Sequence, residues 1–203
     1  MTMSWIKVVS YNDAVGKLKK LYDRIKGPDN NVDNVMMIHS LRPHSMVGHM
    51  YLYKNVLHHS GNTLDKSFLE ALGVYVSYLN KCDYCYQHHF AGYSRLINDS
   101  EKSNLFKDSI ESGNLEAYAD SKELSAFEYA KALTLNIVDV NEESVEPLKT
   151  EGYTDGEILE INQVVSYFNY ANRTVLGLGV SINGDIVGLS PNDSDDPDNW
   201  GHS

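Results

Sequence analysis

Residues 80–92, NKCDYCYQHHFAG, hold both cysteines of the 203-residue chain. Cys82 and Cys85 are three residues apart, and His89 follows four residues later. On an α-helix, positions three and four apart share one face. We therefore expect these three side chains to form a stripe. A thiol pair with an imidazole one turn away indicates a redox-active site, or three of the ligands of a metal site.

A single carboxylate lies in the segment before the cysteines. Residues 68–79 are apolar or aromatic almost all round, which is typical of a buried central helix, and Thr63 is a candidate cap for it. Glu70 would fit a capping box with Ser67. However, Leu64-Asp65 already resembles the first turn, which leaves Glu70 inside the helix. Because buried acids are usually paired or functional, we favour a functional role for Glu70.

The spacing of Glu70 and Cys82 requires a break in the helix. On one straight helix they would lie ~18 Å apart at 1.5 Å per residue and could not act together. Asn80-Lys81 is the natural point for one helix to end and another to start. We predict that Cys82 lies in the first turn of the second helix, where the macrodipole stabilises a thiolate.

The rest of the chain has helical periodicity, and no segment alternates as strands with hairpin turns do. We therefore predict an all-α, multihelical domain over residues 1–189, followed by an acidic tail at 190–203 that is flexible or lies on a neighbouring subunit. Helices are expected over residues 13–26, 32–41, 43–57, 101–112, 122–135, 142–149 and, after a capping box at Thr154 and Glu157, to about residue 176.

Two of the predicted helices share a short internal sequence similarity, which we call the internal echo. Residues 68–80 resemble residues 158–169, with one residue gapped, and the second copy has no cysteine. Two pseudo-repeated helical halves with one active site would explain the echo. Chance similarity between two apolar helices explains it equally well.

The net charge and the apolar pattern limit the possible binding partners and the cellular compartment. The net charge of −11 argues against binding to nucleic acid or to an anionic membrane surface. No apolar run approaches the ~20 residues of a membrane span, and the N-terminus lacks a signal-peptide core, so we expect a cytoplasmic protein. The strongly apolar segments 68–79 and 158–176 predict a homo-oligomer in which neighbouring subunits cover them.

These motifs resemble those of the AhpD-like alkylhydroperoxidases within the carboxymuconolactone decarboxylase superfamily. The core of the resemblance is Glu70-x11-Cys82-x2-Cys85-x3-His89. The flanks VSYLN at 76–80, YFNYANR at 167–173 and LGV at 178–180 are similar to those of the subgroup of peroxidase-related proteins. The resemblance extends from about Asp13 to Ile186.

The resemblance implies a fold, an activity and roles for four residues. It implies an all-helical AhpD-like fold that assembles into trimers, hexamers or dimer-based oligomers. The activity would be reduction of a hydroperoxide, with no cofactor and no metal. Cys85 would be the peroxidatic cysteine and Cys82 the resolving one, with His89 and Glu70 as a proton relay. An external dithiol, on a lipoyl protein or a thioredoxin-like protein, would reduce the resulting disulfide.

One departure and three alternatives accompany this interpretation. Well-known members of the family carry a histidine directly before the second cysteine, where this chain has Tyr84, a poor proton shuttle at neutral pH. His88 could substitute in part, although it points about 100° away from His89.

The alternatives are a zinc site of Cys82, Cys85 and His89 with a ligand from the His-rich segment 39–59, a redox-silent lactone decarboxylase-like enzyme, and an interaction protein with two core cysteines.

Overall fold

A computed structural model describes residues 3–191 and 199–202 of the chain. Within these ranges it has nine α-helices and no strand, with short 3₁₀ turns in several connections, so the all-α prediction is confirmed. The helices are α1 Gly16–Ile25, α2 Asn34–Met37, α3 Pro43–Leu57, α4 Lys66–Leu79, α5 Asp83–Ile97, α6 Ser100–Ser112, α7 Ser121–Leu135, α8 Glu146–Thr150 and α9 Asp155–Leu178.

Several helix ends follow the local chemistry of the sequence. Pro43 opens α3, where its missing N–H costs nothing. Gly113 ends α6 in the left-handed conformation, at φ 72°. At the start of α9, Thr154 and Glu157 form the predicted reciprocal capping box. The signals that specify caps and stops in isolated helices therefore operate here.

Two predicted boundaries differ from the structure. The pattern at 32–41 contains only the four-residue α2, because the next residues form successive turns. The cap of α4 is Asp65, whose carboxylate accepts the Ser67 N–H, rather than Thr63. Thr63 instead donates its own N–H to Glu160 of α9, at 2.9 Å.

Helix α4 is the core of the domain. Every residue from Phe68 to Ser77 is buried, and α5, α7 and α9 pack around the helix. Gly73 allows the closest of these contacts, since a Cβ there would lie 2.1 Å from the ring of Phe168 on α9. The two segments of the internal echo thus lie on α4 and α9 and pack against each other, which places both beside the cysteines.

The apolar surface of α4 is covered within one subunit except at Tyr78. This covering weakens the reason that α4 gave for oligomerisation, whereas α9 still exposes Leu159, Tyr170 and Leu176. The homo-oligomer stays a prediction. No helix in the described part of the chain is long and apolar enough to cross a membrane.

The end of the chain returns to the domain. Trp200 is fully buried, with the Arg24 guanidinium 3.8 Å above its ring and Tyr51 against it edge to face. Lys54 donates to the Asn199 carbonyl. The predicted flexible tail, 190–203, falls largely on residues 192–198 and 203, which lie outside the described residues.

Candidate active site

The chain reverses between α4 and α5 at the predicted break. α4 ends at Leu79, and Lys81 adopts the left-handed conformation with φ 57°. Cys82 occupies the N-cap of α5 rather than its first turn, because its N–H is still held by the Ser77 carbonyl of α4, at 2.9 Å. Cys85 is the third residue of α5. Both cysteines therefore lie at a helix N-terminus, where the macrodipole favours a thiolate.

The two cysteines are paired as a disulfide with their Cα atoms 5.4 Å apart. Cys82 is fully buried, among Ile38, Val175 and Val180. Cys85 is also buried, but it lines the cavity described below and Cys82 does not. The pair is thus asymmetric, with one sulfur reachable from the cavity and the other behind it.

Glu70 and His89 meet across the two helices. The Oε2 of Glu70 lies 2.8 Å from the Nδ1 of His89, and both side chains are buried or nearly so. Burial alone would raise the pKa of Glu70, but the charge and hydrogen bond of His89 outweigh it, and the pKa lies below its usual value. Glu70 therefore stays a carboxylate and holds the imidazole of His89 in place through its Nδ1.

A polar network that the sequence did not reveal fastens the turn before the cysteines. Asn80 donates to the amide oxygens of Asn172, at 2.9 Å, and Asn169, at 3.0 Å. The fully buried Asn172 in turn donates to Ser77, at 3.2 Å. Because all four residues lie at the contact of α4 with α9, the network sets where α5 begins and hence where Cys82 stands.

A second group of titratable side chains gathers around Asp185. Tyr84 donates its hydroxyl to Oδ2 of Asp185 and accepts the Val35 N–H at 3.1 Å. The Nε2 of His88 lies 3.4 Å from the same Oδ2, an ion-pair distance without the alignment of a hydrogen bond. Burial, followed by the charge of Asp185, raises the pKa of Tyr84 well above its usual value. Tyr84 is thus a fixed hydrogen-bond donor and no proton shuttle.

Asp33 is a buried acid beside this group. It stands at the N-cap of α2 but accepts no N–H there with its side chain, and its Oδ1 is buried without a hydrogen-bond partner in the described part of the chain. Burial raises the pKa of Asp33 to about 7, while His88 lowers it and Asp185 raises it by smaller amounts. At neutral pH a large fraction of Asp33 is therefore a neutral carboxylic acid.

Asp33→Asn should flatten the pH dependence of stability. An unfolded aspartate ionises near pH ~4, so between that pH and about 7 the folded wild type holds a proton that the unfolded chain has lost. Because of this proton, the free energy of unfolding of the wild type should fall by about 1–3 kcal/mol from pH 5 to 7 and level off above pH 7. In Asp33→Asn this fall should be absent. Urea unfolding at pH 5, 7 and 8 measures it. Asp29→Asn, an exposed neighbour, should keep the wild-type slope, and an unchanged slope in Asp33→Asn would contradict the assignment.

One small cavity connects both groups. It has a volume of about 40 Å³ and is bounded by Glu70, Cys85, His88 and His89 together with Asp33 and Tyr84. Aromatic rings and a C-terminal segment complete the wall: Tyr53, Tyr167, Phe168, Gly188, Leu189 and Ser190. Three of the four residues predicted for the site thus meet in one cavity, and the fourth, Cys82, is bonded to one of them.

The histidines of the His-rich segment do not contribute to this cavity, although Tyr53 from the same segment lines its wall. All of residues 39–59 are described, and none of their histidines lines the cavity wall. His49 is instead buried against His39 and contacts the Tyr167 hydroxyl at 3.2 Å. In the described part of the chain, no group of three His, Cys, Asp or Glu side chains is placed to hold a metal ion. The zinc alternative therefore gains no ligand from this segment.

Fold and site together define an all-helical protein with a cysteine pair at a helix N-terminus and a buried carboxylate–imidazole pair beside it. More particularly, the fold is that of the AhpD-like peroxidase-related proteins. The chain is similar to an uncharacterized peroxidase-related protein with an AhpD core from Ralstonia eutropha JMP134, at 20% identity and TM-score 0.74, over 90% of this chain and 94% of that one.

Two further solved structures extend the comparison. An uncharacterized peroxidase-related protein from Silicibacter sp. TM1040 matches at 20% identity and TM-score 0.75, over 90% of this chain and 93% of that one. The debrominase Bmp8 matches at 16% identity and TM-score 0.69, over 89% and 91%. At these identities the likeness establishes the fold. No protein-family model and no curated protein matches the sequence.

Proposed function

We propose that the chain is a thiol-dependent peroxidase that works through Cys85 and Cys82. The observation that carries the proposal is the meeting of Cys85 with the Glu70–His89 pair in one small cavity, with Cys82 bonded behind it. Peroxidase-related structures with the same fold support it. The superfamily also includes redox-silent enzymes, but a bonded cysteine pair beside a base supports redox chemistry.

The proposed reaction has three steps. His89 takes the proton of Cys85, and the thiolate attacks one peroxide oxygen, so that an S–O bond forms and the O–O bond breaks. Cys85 becomes a sulfenic acid and the other oxygen leaves as water or an alcohol after taking a proton. The Cys82 thiol then displaces water from the sulfenic acid and closes the disulfide, which an external dithiol reduces by exchange.

The burial of the disulfide bears on the reductant. Cys82 has no exposed surface and Cys85 has 5%, so a broad protein surface cannot reach either sulfur directly. A slender dithiol arm such as a lipoyl group suits this access better than a thioredoxin-like surface. A cytoplasmic location and a homo-oligomer complete the proposal. A mass near the 22.8 kDa of the monomer, measured by light scattering, would contradict the homo-oligomer.

Dehalogenation is the reaction suggested by the debrominase, one structure of which holds 2,3,4-tribromopyrrole in a cysteine variant. The cavity of about 40 Å³ is far smaller than the roughly 300 Å³ or more of pockets for drug-sized ligands. This size favours a small peroxide over a brominated ring as the substrate.

Thiol titration tests the proposed function. Reduced protein should show two titratable thiols and, after one equivalent of a peroxide, none, with the mass of an intramolecular disulfide and no dimer on a non-reducing gel. A wild-type protein that keeps both thiols with hydrogen peroxide and with cumene hydroperoxide would refute it. Stoichiometric bound zinc in such a sample would favour the metal-binding alternative.

Glu70→Gln should slow thiol oxidation by about ten- to a hundredfold with the fold retained. The amide keeps the shape and one acceptor for His89 but removes the charge that stabilises the imidazolium, and general acid–base catalysis is typically worth 10²–10⁴ in rate. Stopped-flow tryptophan fluorescence with peroxide measures the rate.

The internal echo supplies a matched control for Glu70→Gln. Glu160 stands at the equivalent position of α9, but it accepts N–H groups of Thr63 and Leu64 instead of pairing with a histidine. Glu160→Gln should lower stability slightly and leave the oxidation rate unchanged. Equal rates for wild type and Glu70→Gln would exclude the relay.

A further inference from the structure

The cavity wall contains two buried polar atoms without a hydrogen-bond partner among the described residues, although one of them, on His88, lies at the ion-pair distance of 3.4 Å from Asp185. They are Oδ1 of Asp33 and Nε2 of His88, and both residues are more than nine-tenths buried. Leaving such an atom without a partner costs about 1–3 kcal/mol. Both residues line the cavity at Cys85, so a molecule inside it can satisfy both atoms.

The Asp33 carboxyl is free for this purpose because other residues hold the start of α2. An aspartate at an N-cap usually accepts an N–H of the first turn. Here the Val35 N–H, which such a cap would accept, goes to the Tyr84 hydroxyl at 3.1 Å. The Asn34 N–H goes to Asp185, at 3.1 Å from both carboxylate oxygens, although Asp185 is 151 residues away. Asp185 also receives the Tyr84 hydroxyl. The expected cap is therefore replaced, and Asp33 keeps an unpaired oxygen on the cavity.

The size of the cavity limits what can occupy it. The volume of about 40 Å³ exceeds the roughly 10–15 Å³ that a single water requires, so the cavity has room for a molecule of a few heavy atoms. Gly188 closes one side by packing on α5, since a Cβ there would lie 2.9 Å from Cβ of Ala91. Ser190 is tied to the same helix by Arg95, at 3.2 Å. These walls narrow the space beside Cys85, which favours a small peroxide over a bulky organic hydroperoxide.

We propose that Asp33 and His88 form a binding site for a peroxide of hydrogen-peroxide size beside Cys85, with Asp33 as the acid that protonates the departing oxygen. The proposal rests on the thiol-peroxidase function and adds a substrate class and an acid to it. His88 and His89 diverge by about 100° around α5, so they approach the cavity from different walls. His89 thus serves the thiol, while His88 and Asp33 hold the peroxide.

The chemistry of the step balances with these groups. The Cys85 thiolate gives an electron pair to the nearer oxygen, the O–O bond breaks, and the farther oxygen leaves as hydroxide. The hydroxide takes the proton of the Asp33 carboxylic acid and becomes water, which leaves an Asp33 carboxylate that solvent protonates again. An acid with a pKa of about 7 suits this task at neutral pH, because it is both populated and strong enough to donate.

The test compares two reactions of the same thiolate. Reduced wild type, Asp33→Asn and His88→Gln are mixed with hydrogen peroxide and, separately, with iodoacetamide, whose iodide leaves without needing a proton. Asp33→Asn should lower the rate constant for hydrogen peroxide by ten- to a hundredfold and change the alkylation rate less than twofold. Asp29→Asn, exposed on the same segment, should match wild type in both reactions.

The outcomes separate the parts of the proposal. Equal losses in both reactions would mean that Asp33 acts on the thiol or the fold, and no loss in either would exclude it as the acid. His88→Gln should weaken the reaction with peroxide alone, and wild-type behaviour would remove His88 from the site.

Wild type should react with hydrogen peroxide at least tenfold faster than with cumene hydroperoxide, and comparable rates would overturn the size limit. No reaction of wild type with any peroxide would instead refute the proposed function.

Discussion

Cys85→Ser should reduce peroxide consumption to the background rate of the buffer. Cys85 is the cysteine whose surface reaches the cavity, and it lies one helical turn before His89 on the same face of α5. A serine hydroxyl is no nucleophile toward peroxide at neutral pH, so no S–O bond can form at this position. Loss of peroxide in a ferrous–xylenol orange assay measures the effect.

The remaining thiol provides the control for this variant. Cys82 stays in Cys85→Ser, but it is fully buried behind the cavity and should keep its thiol through the incubation with peroxide. The side chains differ only in the sulfur atom, so circular dichroism and the unfolding midpoint should match those of reduced wild type. Rapid peroxide consumption by Cys85→Ser, with a sulfenic acid on Cys82, would exchange the two roles and leave the thiol chemistry in place.

The central part of the fold could be predicted from the sequence because its signals are local. The all-round apolar pattern of 68–79 placed α4 in the core, and the distance argument between Glu70 and Cys82 required the turn at Asn80-Lys81. Once two antiparallel helices follow from that turn, Glu70 and His89 face each other, as the 2.8 Å contact shows. The roles of these residues stay predictions.

The second wall of the cavity could not be predicted because it joins distant segments. Asp33 looks in sequence like an ordinary helix cap, and Asp185 lies in a polar stretch after the last helix. Only the folded chain shows that the first two N–H groups of α2 go to Asp185 and to the Tyr84 hydroxyl, and that Tyr84 donates to Asp185, 101 residues away. A local rule applied to Asp33 gives the wrong partner, because a tertiary contact has replaced the local one.

The position of Tyr84 shows a similar limit. Tyr84 stands where the well-known AhpD-like alkylhydroperoxidases, which the sequence resembles, carry a histidine. The high pKa of a tyrosine argued against proton transfer. That argument holds, since burial raises the pKa further. What the sequence did not indicate is that the Tyr84 hydroxyl anchors Asp185 next to His88, whose ring stacks on Tyr84 with centroids 4.6 Å apart. Tyr84 thereby builds a wall of the cavity instead of relaying protons.

Cys82→Ser should consume one equivalent of peroxide and then stop. Cys85 can still attack the peroxide, but the serine at position 82 cannot displace water from the sulfenic acid, so no disulfide closes. The sulfenic acid should accumulate, because the chain has no other thiol that could resolve it. A dimedone-type reagent and mass spectrometry should find the label on Cys85, in contrast to wild type, where the disulfide forms first and little label appears.

Excess peroxide sharpens the prediction for Cys82→Ser. Without a resolving thiol, the sulfenic acid of Cys85 should be oxidised further to a sulfinic acid, which dithiols do not reduce. Turnover with a lipoyl-type reductant should therefore be lost permanently in the variant and persist in wild type, whose Cα–Cα distance of 5.4 Å already suits the disulfide. Sustained turnover by Cys82→Ser would mean that the external thiol resolves Cys85 directly, and Cys82 would then have a protective role instead of a catalytic one.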